Sequence, residues 1–391
     1  MISSLKSKRN NKGKSAVQGE NNYKMMAFVV AAVLILSAAI PGICYCVKHK
    51  NRIETFFAGK KSPDYYKYGS PLKNITDEKN RMLNVCFIIY PFTDTEKHKT
   101  YLKARRKGIY FIGMSSYINF PCKTQNKHCI TYKDDNISWT HNYFDLVSGW
   151  CHCYRDPNTC IPSPFPKRLI SESDFIRHEG YNYDPKIRDA DKEYDFIYIC
   201  LKDNDKCEDG WQSEGRNWAV AKKCIDIMCE KYKMKGLLIG RVNCELPKSC
   251  HTQKLVDTTD FLKYHEFMKQ YQRCKFIFVP NILDASPRVL AEGLAHNLPC
   301  LVNYNIVGGW KYVNDKTGEF FTDETDFEKS LIKLRKNMEK QQYQPRDYFI
   351  NNHGPKHEGK ELINFIKEII PDYKKKLNYD IDEIEYLRPV V

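Results

Sequence analysis

The chain has 391 residues, and residues 50–391 are enough for two α/β domains of ordinary size. Its net charge of +14 would suit nucleic acid, yet no basic stripe interleaved with aromatics appears, which argues against that class. No Gly-x-Gly-x-x-Gly or Walker-type loop occurs, so dinucleotide-binding and kinase-like readings lack support.

Residues 1–24 are polar, Lys- and Asn-rich, and read as a disordered basic tail. Residues 25–47, Met25 to Val47, are uncharged, with Lys24 before and Lys48 after. At roughly 1.5 Å per residue such a run spans a ~30 Å hydrocarbon core. It is longer than a signal-peptide core and is read as a retained single-pass transmembrane helix. Lys6, Lys8, Arg9, Lys12, Lys14 and Lys24 precede it, and Lys48, Lys50, Arg52, Lys60 and Lys61 follow. These flanks favour anionic headgroups but leave orientation open. Two sequons, at Asn74 and Asn136, and sixteen cysteines favour a luminal catalytic part in the endoplasmic reticulum or Golgi. Cys122, Cys129, Cys151, Cys153 and Cys160 lie in loop-like sequence where disulfides would form, whereas Cys200, Cys224, Cys274 and Cys300 read as buried small hydrophobes.

Residues 48–81 read as a stem and residues 82–190 as a first, irregular domain. Strands are expected at Val85–Tyr90, Ile109–Met114 and Tyr143–Ser148, with a charged helix over Asp94–Arg106. From Asp191 the pattern clears. Strands at Phe196–Leu201, Gly236–Ile239, Phe276–Val279 and Cys300–Val302 alternate with helices at Asn217–Tyr232, Phe261–Tyr271 and from Pro287. Helices near 326–341 and 359–369 complete this second domain, residues 191–375, ahead of a tail at 376–391. Such alternation implies a parallel sheet with right-handed crossovers.

The segment from Lys275 to Thr322 carries the chemistry. A buried strand breaks into a polar loop at Asp284, and a helix restarts with Ser286 as N-cap and Pro287 in its first turn. Amides at such a helix start suit a phosphate. Val289, Leu290 and Leu294 make the apolar stripe; Arg288, Glu292 and His296 recur every four residues on the other. From spacing alone, that second stripe fits a solvated face as well as a site. A Gly308-Gly309 turn closes the next strand.

The run Asp284-Ala285-Ser286-Pro287-Arg288-Val289-Leu290-Ala291-Glu292-Gly293-Leu294-Ala295 resembles the sugar-nucleotide site of glycosyltransferase family 4. Leu298 to Val302, Gly308 to Val313 and Thr317 to Phe321 continue the resemblance, which covers roughly residues 192–370. It implies a GT-B fold, with two Rossmann-like domains facing a cleft. The activity implied is transfer of a sugar from a nucleotide-sugar donor, with retention of configuration and no obligatory metal. The first Glu of the family's Glu-x7-Glu motif is Asp284 here, one methylene shorter. By this resemblance Glu292 binds the ribose hydroxyls and Asp284 the donor sugar. Ser286, Pro287 and Arg288 face the diphosphate, beside Gly308 and Gly309. The family's pyrophosphate-neutralising cations correspond to Lys202 and Arg216, separated by an insertion at 203–215, with Lys206 as a substitute.

Three rivals remain. A metal-dependent transferase would use Asp-x-Asp, and Asp203-Asn204-Asp205 follows a strand; Asp189-Ala190-Asp191 and Asp380-Ile381-Asp382 have the same form. Cys151-His152-Cys153 with Cys160 suggests zinc, although the spacing matches no common Cys-x2-Cys arrangement. The third rival is a non-catalytic scaffold that keeps the fold. His152 and His178 read as structural or surface histidines. The acceptor is expected to be a glycan, lipid or protein.

Overall fold

The computed structural model describes residues 68–116, 120–121, 133–134, 137–138 and 142–390. The expected membrane span at 25–47, the tail before it, Cys122, Cys129 and Asn136 lie outside these residues. Among the described residues no helix is long and apolar enough to cross a membrane.

The chain opens with β1 (Leu72–Asp77), β2 (Met82–Ile88), α1 (Thr95–Arg106), β3 (Tyr110–Met114), β4 (Trp150–Cys151) and β5 (Lys167–Arg168). Asp94 caps α1 by accepting from the Lys97 amide at 2.8 Å, so a short polar side chain sets where the helix starts. The Tyr143–Ser148 strand is not formed. Asn142 takes the Phe144 amide instead, and Tyr143–Asp145 turns as 3-10 helix.

The second half runs β6 (Tyr194–Ile199), α2 (Trp211–Gly215), α3 (Trp218–Tyr232), β7 (Gly236–Ile239), α4 (Lys248–Thr252), β8 (Val256–Thr259) and α5 (Tyr264–Tyr271). It continues as β9 (Cys274–Val279), α6 (Arg288–Ala295), β10 (Cys300–Asn303), β11 (Gly318–Phe321) and α7 (Glu324–Glu339). All its strands pair in parallel, in the order β8-β7-β6-β9-β10-β11. That is the doubly wound order, whose crevice opens at the carboxyl ends of β6 and β9, where the crossover direction reverses. One face packs Leu290, Leu294, Met268 and Tyr271 from α5 and α6. The other packs Trp218, Cys224, Met228, Phe327 and Leu331 from α3 and α7.

Three boundaries differ from the sequence reading. The last part of the supposed stem is β1, an inner strand between β2 and a C-terminal strand. Its polar residues hid it: Asn74, Thr76 and Asp77 are all buried, and Asp77 accepts from the Lys79 and Arg81 amides. After α8 (Pro345–Asn352), helix α9 (Gly354–Ile369) leaves the second sheet. Its Leu362, Phe365 and Ile366 fill the core of the first with Ile75, Val85 and Ile112. After α10 (Tyr373–Lys376), the supposed tail ends in β12 (Leu387–Pro389), antiparallel to β1. The first sheet is therefore β12-β1-β2-β3-β4-β5 and takes strands from both ends of the described chain.

The cysteine reading is half corrected. Cys151, Cys153 and Cys160 are free, whereas disulfides join Cys207 to Cys244 and Cys229 to Cys250. Cys200, Cys224, Cys274 and Cys300 are free and buried, as expected of small hydrophobes. The Asn74 sequon is buried within β1, with its side-chain amide turned to Cys86 Sγ, and offers no accessible attachment point in the folded chain.

Candidate functional site

The loop after β9 crosses the carboxyl end of the sheet. Its Ile282 and Leu283 amides donate to the Gly215 carbonyl, which ties it to the end of α2. There Arg216 follows the helix, and its guanidinium lies 2.7 Å from the Asp284 carboxylate. Asp284 also accepts from Asn281 Nδ2 at 3.0 Å and from the Ser286 amide at 3.2 Å, so its orientation is set on three sides. Ser286 does not cap its own helix. Pro287 occupies the cap position of α6, and the Ser286 hydroxyl oxygen instead accepts from the Ser173 amide at 2.7 Å. That bond joins the second-sheet loop to a turn of the first half.

Gly308 and Gly309 support this loop from behind. The Gly308 amide donates to the Asp284 carbonyl at 2.8 Å, and a Cβ there would lie 1.9 Å from the Ala285 carbonyl oxygen. Gly309 has φ of +75° and sits against the Pro287 ring. The pair therefore shapes the loop, and neither residue lines the cavities described next.

Two cavities share the wall formed by Arg216, Arg288 and Val289. The larger, about 470 Å³, contains Glu292, Tyr264, Phe261 and Arg177, and its floor is the β6 end from Ile199 to Leu201. The smaller, about 300 Å³, contains Asp284, Ser286, Trp211, Ser116 and Glu172. Arg288 is exposed, whereas Glu292 and His296 are buried, so the every-fourth-residue stripe is no solvated face. Glu292 accepts from Tyr264 at 2.8 Å and from Tyr271 at 3.3 Å, and each carboxylate oxygen retains a lone pair for another donor. Burial raises its pKa to about 7, against the opposing effect of Tyr264, Arg288 and Tyr271.

Lys202 does not join this group. Its ammonium turns to Asp205 at 3.1 Å, and Lys206 is exposed beside Glu208. The insertion explains this. Asp203 accepts from the Gln212 and Ser213 amides and the Ser213 hydroxyl, starting α2 and placing Arg216 at its far end. Burial opposes ionisation of Asp203, but the bonds from Ser213 and Gln212 outweigh it and hold the carboxyl below its ordinary range. With Asp203 spent on capping and Asp205 turned outward, this Asp-x-Asp does not present two carboxylates to one point.

The Cys151-His152-Cys153 run does not converge on a metal site either. Cys151 enters the core of the first sheet, Cys153 packs on Tyr154 and Ala285, and burial pushes His152 down to about 4. Among the described residues, Asp174, His353 and Glu358 do bring ligand atoms within 4.8 Å of one another. The Lys311 ammonium already stands between the carboxylates, 2.9 Å from each.

Sequence reasoning missed Arg177, Phe261, Tyr264, Tyr271 and Glu172. Tyr264 and Tyr271 stand seven residues apart, two helical turns, and that spacing was available as a signal. Phe261 and Leu262 precede α5 rather than belonging to it, and line the larger cavity. Arg177 and Glu172 lie in irregular turns, where no periodicity marks them.

No family model and no curated protein matches the sequence. Among solved structures, TarM from S. aureus in complex with Fondaparinux, alpha-GlcNAc-glycerol and UDP shares 11% identity at a TM-score of 0.45. That similarity covers 66% of this chain and 51% of that one, so the chain spans about half of TarM's length. A glycosyltransferase from Rickettsia africae gives 12% identity and a TM-score of 0.49, over 74% of this chain and 77% of that one. The lipopolysaccharide outer core galactosyltransferase WaaB, in apo form, gives 14% and 0.44, over 71% and 74%. Each likeness is distant, with a TM-score below 0.5.

Proposed function

We propose that this chain is a GT-B-type, family-4-like glycosyltransferase that moves a sugar from a nucleotide-sugar donor to a glycan, lipid or protein acceptor. One observation carries the reading. Two cavities at the switch point of a doubly wound sheet hold Glu292 and Asp284, and share a wall bearing Arg216 and Arg288. A nucleoside in the larger cavity would place its ribose hydroxyls at Glu292. The diphosphate would then pass the two guanidiniums and the sugar would reach Asp284. Phe261, 78% exposed at the cavity edge, offers a face on which a base can stack.

The chemistry suits these groups. Breaking the bond between the anomeric carbon and the phosphate oxygen builds negative charge on the diphosphate, and preorganised guanidiniums stabilise it. Retention of configuration and independence of a metal belong to the same proposal; the capping role of Asp203 supports the second. A luminal, single-pass membrane enzyme is the proposed setting, and two disulfides support an oxidising compartment.

The test uses the full chain in detergent. Thermal stabilisation by UDP, GDP and a panel of their sugars is measured beside nucleotide release, in the parent and in Glu292→Gln. The proposal expects stabilisation by at least one nucleotide, lost in the variant. No stabilisation of the parent would sink it. Stabilisation without release or transfer on any glycan, lipid or peptide acceptor would favour a non-catalytic donor-binding scaffold.

A further inference from the structure

The smaller cavity holds a carboxylate from the first half of the chain, Glu172, on the same walls as Asp284, Arg216 and Arg288. It is 7% exposed and ion-paired with Lys73 of β1. A buried pair of this kind regains little more than its desolvation costs, so stability alone is a weak reason for it. Burial would raise the Glu172 pKa, but the Lys73 ammonium, with Arg288 and the Ser116 hydroxyl, more than offsets this and lowers it. The group is an ionised carboxylate at neutral pH and a poor proton acceptor.

Its backbone is fixed within its own turn and by the two residues that follow it. Residues 172–174 form a 3-10 turn in which the Ser171 amide donates to Asp174 at 2.7 Å. The Ser173 amide is bonded to Ser286 of the loop that carries Asp284. Asp174 is held by Lys311 at 2.9 Å and by the Tyr312 hydroxyl at 2.7 Å. Both attachments, at Ser173 and Asp174, come from the second half, so Glu172 is set at a fixed place relative to the donor loop. Such preorganisation is what a group acting on a developing charge requires.

Resting on the donor-site reading above, we infer that Glu172 is the acceptor-side carboxylate, accepting a hydrogen bond from the hydroxyl that attacks the anomeric carbon. In that step the bond from the acceptor oxygen to the anomeric carbon forms, and the bond from that carbon to the phosphate oxygen breaks. Its electron pair leaves with the nucleoside diphosphate, which takes the acceptor proton. Glu172 orients the attacking hydroxyl, and its charge faces the positive character on the sugar.

The experiment compares the full chain in detergent with Glu172→Gln, Glu172→Asp and the double variant Lys73→Met/Glu172→Gln. UDP-glucose, UDP-galactose, UDP-N-acetylglucosamine and GDP-mannose serve as donors, with water as acceptor; nucleotide release and melting temperature are read. The double variant leaves no unpaired buried charge and guards against a folding defect in the single one. Stabilisation by free nucleotide and the donor KM stay at parental values, while kcat falls about 100-fold in Glu172→Gln and in the double variant. Glu172→Asp recovers part of it. A double variant that melts with the parent and releases nucleotide at the parental rate overturns the inference and leaves the donor site standing. A parent that no nucleotide stabilises overturns the donor-site reading itself, and this inference with it.

Discussion

The Arg216 guanidinium lies 2.7 Å from the Asp284 carboxylate and joins the end of α2 to the loop after β9. Neither residue belongs to a strand or to the interior of a helix, so the pair spans the crevice at the point where the two proposed subsites meet. An arriving diphosphate would compete with Asp284 for the same guanidinium. Arg216→Ala should therefore weaken nucleotide binding by about tenfold or more, the scale of a lost charged hydrogen bond. Asp284→Asn should leave that affinity within about threefold and reduce turnover instead. Titration of nucleotide against melting temperature, with turnover read in parallel, separates the two effects. Equal loss of affinity in both variants would contradict the division of roles.

Glu292 makes stability depend on pH in a defined direction. Its pKa rises from 4.5 in the unfolded chain to about 7 on burial, so the folded state binds more protons between those values. The stability it allows is present below about pH 4.5 and declines as pH rises through 7. The difference is up to about 3 kcal/mol. Glu292→Gln should remove this decline, so the variant melts higher than the parent at pH 8 and loses its response to nucleotide. A variant less stable than the parent at pH 8 would show that the buried carboxylate is not the strained group described.

Phe261 tests the placement of the base. At 78% exposure it has little packing to lose, so Phe261→Ala should leave the unliganded melting temperature within about 1 °C. A stacked base should then bind about tenfold more weakly, from roughly 1–2 kcal/mol of lost stacking. Unchanged nucleotide affinity would move the base elsewhere in the cavity.

Lys311 neutralises Asp174 and Glu358 with its side chain 7% exposed, and it links the turn at 171–174 to α9. Lys311→Met leaves two buried carboxylates without their cation and should destabilise the fold by about 3–5 kcal/mol. Replacing the carboxylates together with the lysine, by Asn, Gln and Met, should restore most of that. Denaturant unfolding of the two variants measures both steps; a harmless Lys311→Met would show that water reaches these carboxylates.

Much of the second half was legible because its signals are local. The helix restart near Pro287, the apolar spacing of Val289, Leu290 and Leu294, and the short apolar runs of β7 and β9 each depend on neighbours a few residues away, although the cap expected at Ser286 is not made. Strand β1 was not legible, since Asn74, Thr76 and Asp77 read as solvent-facing, and only pairing with β2 and with β12, from the far end of the chain, buries them. Helix α9 was read as a helix but assigned to the wrong sheet, because amphipathicity states that a face is buried and not against what.

The same division runs through the site. The sequence by itself placed Asp284 and Glu292 eight positions apart across one loop-to-helix junction, and the family resemblance, rather than that spacing, marked them as candidates. It also supplied the cations but not their directions: a charge in the chain carries no vector, and Asp203 as a helix cap turned Lys202 aside and brought Arg216 in. Only the tertiary structure placed Arg177 and Glu172 at the same crevice. They come from turns without periodicity, held there by bonds such as Ser173 to Ser286, between residues more than a hundred positions apart.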